Sequence, residues 1–88
     1  LPTMKHATAE ALNLLAPLIV QLRLLPGLKE RKLGIFYRRS KPYLHFHEDP
    51  LGLFADVRLN GGEFTRYEVN TKAEQKNFLV VAKANCAA

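Results

Sequence analysis

The sequence predicts an α+β fold, an antiparallel four-stranded meander with an N-terminal and a C-terminal helix packed on one face. Three observations carry this prediction. Apolar residues recur at three- and four-residue steps near both ends, the middle of the chain alternates with a period of two, and turn residues separate the alternating runs.

The first helix follows Thr8, a suitable N-cap, with Leu12, Leu15, Ile19 and Leu22 on one stripe that Leu14, Leu18 and Leu25 widen. Pro17 requires the helix either to kink or to begin anew with the proline in its first turn. Pro26-Gly27 then ends it. Leu33, Ile35 and Tyr37 alternate with Gly34, Phe36 and Arg38 in a first strand, and Ser40-Lys41-Pro42 turns the chain. In the second strand Leu44 and Phe46 point one way, and Tyr43, His45 and His47 the other. Residues 53–59 form a third strand, with Phe54, Asp56 and Arg58 opposite Leu53, Ala55, Val57 and Leu59. Asn60-Gly61-Gly62 predicts a tight hairpin turn, because these residues accept positive backbone angles cheaply. Residues 64–69 return as the fourth strand. Thr71-Lys72-Ala73-Glu74 fits a capping box, and Phe78, Val81 and Ala82 form the buried stripe of a closing helix.

With 88 residues, 48% of them hydrophobic and 24% charged, the chain has room for one folded core. Residues 1–7 are expected to lie outside that core, the first three as additions ahead of a start at Met4, and residues 85–88 are expected to fray. One cysteine, Cys86, excludes an internal disulfide framework and a cysteine-based zinc site, so a reducing cytoplasm is the expected compartment. The apolar stretch 12–25 is too short and too interrupted to span a membrane, and it runs into Arg23 without a cleavage pattern. No membrane partner is expected.

The net charge of +5 is unevenly spread. Residues 23–41 hold seven Lys and Arg against Glu30 alone, a local excess of +6, and the remainder carries −1. Arg31, Lys32, Arg38, Arg39 and Lys41, with Tyr37 and Tyr43 nearby, describe a stripe for an anionic ligand or nucleic acid, with aromatic rings for stacking. The plainer account is a solvated edge, where cations discourage strand pairing.

His45-Phe46-His47 puts two imidazoles on one face of a strand, about 6.5–7 Å apart along the chain. Asp49 is the first choice for a third metal ligand, with Asp56, Glu68 and His6 as alternatives. Two histidines and one carboxylate suit zinc, manganese or iron with positions left open. His45 or His47 with Asp56 or Glu48 also makes an acid–base pair. No nucleophile accompanies it, since Ser40 lies in a turn and Cys86 near the end. No phosphate-cradling loop is present, because Gly61-Gly62 belongs to the hairpin.

The first reading is therefore a non-enzymatic binding or oligomerisation module without a cofactor. Its face bears Tyr43, His45, His47 and Asp56, with Phe54 and Tyr67 adding area for a homodimer contact. Metal binding and nucleic-acid binding are the alternatives.

Leu25-Pro26-Gly27, His45-Phe46-His47 and Phe54-Ala55-Asp56-Val57 resemble the small bacterial luciferase-domain proteins. Those proteins share a Leu-Pro-Gly turn, a His-x-His strand and an Asp-bearing apolar strand. The resemblance covers residues 22–59, implies a bacterial source and no light-emitting chemistry, and groups His45, His47 and Asp56.

Overall fold

The structure, a computed structural model, describes residues 5–86. It is α+β with an open antiparallel sheet, and the order of elements is β1 (Lys5–His6), α1 (Ala9–Leu14), α2 (Ala16–Arg23), β2 (Leu28–Lys32), β3 (Ile35–Arg38), β4 (Lys41–Asp49), β5 (Gly52–Val57), β6 (Thr65–Glu68) and α3 (Lys72–Cys86). The strands lie in the order β2-β3-β4-β5-β6, with β1 against β4.

Two strands exceed the four expected. β2 has the sequence Leu-Lys-Glu-Arg-Lys, so no apolar alternation marks it. It forms because Leu33-Gly34 turns the chain back onto β3, with Lys29 opposite Tyr37 and Glu30 opposite Phe36. Gly34 has φ +76, a conformation that favours glycine, and a Cβ there would stand 2.8 Å from Leu12 Cδ2, so the Leu12 side chain would have to shift. β1 is equally silent in sequence. Lys5 and His6 pair with Glu48 and His47, and Ala7 N–H donates to the Phe46 carbonyl at 3.1 Å. The expectation that residues 1–7 stand apart is thus corrected for 5–7, because the flank of β4 that β3 leaves bare at this end offers hydrogen bonds. Residues 1–4 lie outside the described residues.

The N-terminal helix begins anew rather than kinking. Thr8 Oγ1 accepts from Ala11 N–H at 3.3 Å, α1 ends at Leu14 with Leu15 as its cap, and α2 takes Pro17 in its first turn, where the missing N–H breaks no helical bond. At α3 the capping box is complete: Glu74 N–H donates to Thr71 Oγ1 at 3.0 Å, and Thr71 N–H donates to Glu74 Oε1 at 3.0 Å. Asn85 is helical rather than frayed, because its side-chain amide donates to the Tyr43 hydroxyl at 3.0 Å. Residues 87–88 are outside the described residues.

β5 and β6 pair from Phe54↔Glu68 to Val57↔Thr65. Asn60-Gly61-Gly62 sits in a longer connection over 58–64 instead of a two-residue turn. Arg58 and Phe64, which a tight hairpin would pair, stack instead, with the guanidinium 4.6 Å from the ring centre. The tight turn with two left-handed residues lies elsewhere, at Arg39 (φ 53) and Ser40 (φ 66) between β3 and β4.

The core joins Leu15, Leu18, Ile19, Leu22, Phe78 and Ala82 of the helical segments to Phe36, Leu44, Phe46, Ala55 and Val57 of the sheet. Phe46 and Tyr67 both meet the Phe78 ring, at 6.5 and 5.5 Å between centroids. Among the described residues, no helix is long and apolar enough to cross a membrane.

Tyr43 joins this core and leaves the face of His45 and His47 to which simple alternation assigned it. The ladder between β3 and β4 shifts by one, from Phe36↔Leu44 to Tyr37↔Pro42, so Tyr43 is the extra residue of a bulge. Tyr43 and Leu44 both turn inward, and the Tyr43 hydroxyl donates to the Ala82 carbonyl at 3.1 Å. Burial pushes that phenol up to about 12.

Candidate functional site

The ladder between β4 and β5 sets His45 opposite Asp56 and His47 opposite Phe54. Directly opposed residues share a face, so His45, His47, Phe54 and Asp56 stand on the side away from Leu44, Phe46, Ala55 and Val57. β1 adds His6 opposite His47, and β6 adds Arg66 opposite Asp56. The two-residue period of four strands therefore assembles three imidazoles, a carboxylate and a guanidinium.

Both near histidines aim Nε2 at one oxygen, with His45 3.5 Å and His47 3.3 Å from Asp56 Oδ2. Ligand atoms of His45, His47 and Asp56 all lie within 4.8 Å of one another. The imidazoles are 4.6 Å apart between centroids, and His6 lies 4.9 Å from His47 and 5.7 Å from His45. Phe64 covers His45 edge-on at 4.7 Å.

Arg66 fixes the carboxylate with a fork, Nε to Oδ1 and Nη2 to Oδ2, both at 2.8 Å. Burial alone would raise the Asp56 pKa, but the Arg66 bonds and charge, helped by His47 and His45, bring it below its ordinary value. Burial is also the main reason that His45 titrates below its usual range. His47, His6 and Arg66 add to that effect and Asp56 opposes it. His47 is lowered in the same way, by burial first, with Asp56 pulling upward and His6 and Arg66 downward. The Lys5 backbone pulls it slightly upward without a hydrogen bond of normal geometry, since His47 Nδ1 is buried without a partner. Near neutral pH both rings are uncharged and Asp56 is ionised. That is the protonation state in which imidazole nitrogens and a carboxylate oxygen donate electron pairs.

Asp49, the first-choice third ligand, is elsewhere: its Oδ1 accepts Leu51 N–H at 2.7 Å and closes the turn between β4 and β5. Asp56 stands beside the histidines in its stead. Glu48 is also engaged, accepting from the Thr8 hydroxyl at 3.3 Å and facing Lys5 at 3.6 Å. The apolar dimer face is depleted, because Tyr43 and Tyr67 turn to the core and only Phe54 of the three remains on this side. Arg66 is the partner that the sequence reading missed. Asp56 and Arg66 are equidistant from Gly61, so a hairpin centred on that glycine already sets them opposite one another.

The basic residues divide between two clefts near the hairpin of β3 and β4. Arg31, Arg39, Lys29, Tyr37, Leu28 and Ser40, with Gly27, line one of about 320 Å³. Arg38, Arg39, Lys41 and Arg58 line the other, of about 190 Å³, beside Tyr43. Arg38 lies 6.0 Å over the Tyr43 ring, and Lys32 is exposed at the end of β2. Arg23 and Glu30 pair with each other, which removes the one acidic side chain of the segment from the cations around it.

Comparison with protein-family models, with curated proteins and with solved structures found no match to this chain.

Proposed function

We propose that the protein is a small binding module that holds a divalent transition-metal ion through His45, His47 and Asp56 on the open side of the sheet. In this reading the helices form one layer on the opposite side, and the histidine side stays accessible.

The observation that carries the reading is the convergence of both Nε2 atoms on Asp56 Oδ2, at 3.5 and 3.3 Å. In a tetrahedral zinc site with bonds of about 2.0–2.1 Å, neighbouring ligand atoms are about 3.3–3.4 Å apart. Both histidine–carboxylate separations are thus close to those around an ion, and the three ligand atoms all lie within 4.8 Å of one another. Arg66 does not preclude this, because a carboxylate offers about four lone-pair directions and the fork uses one on each oxygen. It acts as an outer partner that orients the ligand. Two imidazoles and one carboxylate suit zinc, iron or manganese and leave positions for water or a further ligand.

The test is metal-dependent stability. Protein stripped with a chelator should gain Tm on addition of Zn²⁺, since an ion that binds only the folded chain stabilises it by about 2.7 kcal/mol at 100 times Kd. In a domain of this size that raises Tm by on the order of 10 °C. The gain should vanish in His45→Ala/His47→Ala. An unchanged Tm in the native protein, or an equal gain in the double variant, refutes the reading.

A further inference from the structure

The cleft at the β2–β3 edge shares no lining residue with the histidine cluster. We propose that this cleft binds the phosphate group of an anionic ligand, with Lys29, Arg31 and Arg39 as the charge-bearing contacts and Ser40 as a hydroxyl donor.

Several features converge there. Lys29 stands opposite Tyr37 in the ladder, so the two share a face of the sheet. The register shift between Glu30 and Lys32 makes Arg31 the extra residue of a bulge, and bulges re-aim side chains. Its guanidinium lies 5.0 Å over the Tyr37 ring, which orders the cation without neutralising it. Arg39 lines the same cleft. Among the described residues, Lys29, Arg31 and Arg39 make no ion pair, and Glu30, the nearest acid in sequence, is bound to Arg23 and to the Gly34 N–H. The resulting concavity, about 320 Å³, has three cations and no carboxylate in its lining. Guanidinium forks match phosphate oxygens geometrically, and a second Arg and a Lys supply further charge.

The backbone supports the same assignment. The two residues at the tip, Arg39 and Ser40, have φ of 53 and 66, a conformation that Asn-Gly adopts cheaply and that Arg and Ser adopt only at a cost. The chain keeps a cation and a hydroxyl where glycine would fold more easily. Strain retained at a cleft is a mark of a working loop.

A phosphate can arrive free, on a small molecule, or as part of a polynucleotide backbone, and the test separates these sources. Chelator-stripped protein is titrated with inorganic pyrophosphate and with single-stranded oligonucleotides that carry or lack a 5′-phosphate, at several salt concentrations. Stripping keeps the result independent of metal at His45 and His47. Binding of pyrophosphate, with oligonucleotide binding that needs the 5′-phosphate, establishes a terminal-phosphate site. Oligonucleotide binding without that requirement, with a log–log salt slope of about −2 for three backbone contacts, establishes a polynucleotide site. In either case Arg31→Glu/Arg39→Glu should weaken binding at least tenfold, while the charge-matched Lys76→Glu/Lys83→Glu on α3 should leave it within about twofold. Arg39→Gly guards against misfolding as the cause: it should raise Tm by relieving the turn and still weaken binding. No binding of any probe at low salt, or equal weakening by the two charge-reversed pairs, overturns the proposal.

Discussion

Strands β4 and β5 present two sides that are built by the same alternation and held by different forces. On one side Leu44, Phe46, Ala55 and Val57 are almost wholly buried against the core. On the other, His45, His47 and Asp56 keep 17%, 14% and 8% of their side-chain surface, the histidines facing Asp56 and Asp56 tied to Arg66. The apolar side is held by area removed from water and by close packing, which tolerates little change in volume. The charged side is held by hydrogen bonds and ion pairs, which depend on protonation and add little net stability, so its residues can be spent on binding. One pair of strands therefore carries apolar packing on one side and, on the other, the polar cluster proposed to bind metal.

The largest contrast is expected from truncating each side in turn. Phe46→Ala should lose about 3–5 kcal/mol, measured by urea unfolding, because it opens a cavity beside Phe78. For a domain near the low end of the usual stability range this leaves much of the chain unfolded. Asp56→Asn should lose less, about 1–3 kcal/mol, since it leaves the Arg66 fork without its charged partner while most of the packing remains. A loss on the charged side equal to that on the apolar side would erase the distinction.

The smallest effect is in pH. His45 and His47 titrate lower in the folded chain than in the unfolded one, so as pH falls through about 6.5 the unfolded chain takes up protons first and stability declines. That decline ends once pH is below the folded-state values. Asp56, also lowered, contributes stability that is present above its unfolded value near 3.8 and is lost as pH falls further. Between pH 7 and 5 the unfolding midpoint in urea should therefore drop, and drop more steeply in Asp56→Asn, where the charge that opposes the depression of both histidines is gone. A midpoint flat across that range would mean that the imidazoles are not desolvated as they stand here.

Much of this division was legible from residue order. A period of two puts His45, His47 and Asp56 opposite Leu44, Phe46 and Val57 with no knowledge of the fold, and Thr71 with Glu74 announced the start of α3. What could not be read depended on partners distant in sequence. Lys5–His6 and Leu28–Lys32 lack apolar alternation and become strands only because β4 and β3 offer free hydrogen-bonding flanks. The shift at Tyr43 is a property of two strands together, invisible in either. Turn chemistry was similarly incomplete: Asn60-Gly61-Gly62 permits a tight turn, yet the stacking of Arg58 on Phe64 widens it, and the tight turn falls on Arg39-Ser40.

The bulge at Tyr43 also determines how the chain tolerates changes in length. Before it, Pro42 stands opposite Tyr37, on the side of Lys29; after it, His45 and His47 return to that same side only because one residue has been counted twice on the inner face. Deleting one residue here would send either the hairpin tip or the two histidines to the inner face. A side-chain replacement at the same position would leave both where they are. Along β4 the number of residues between the Arg39-Ser40 turn and His45 is therefore constrained more tightly than the identity of most of them.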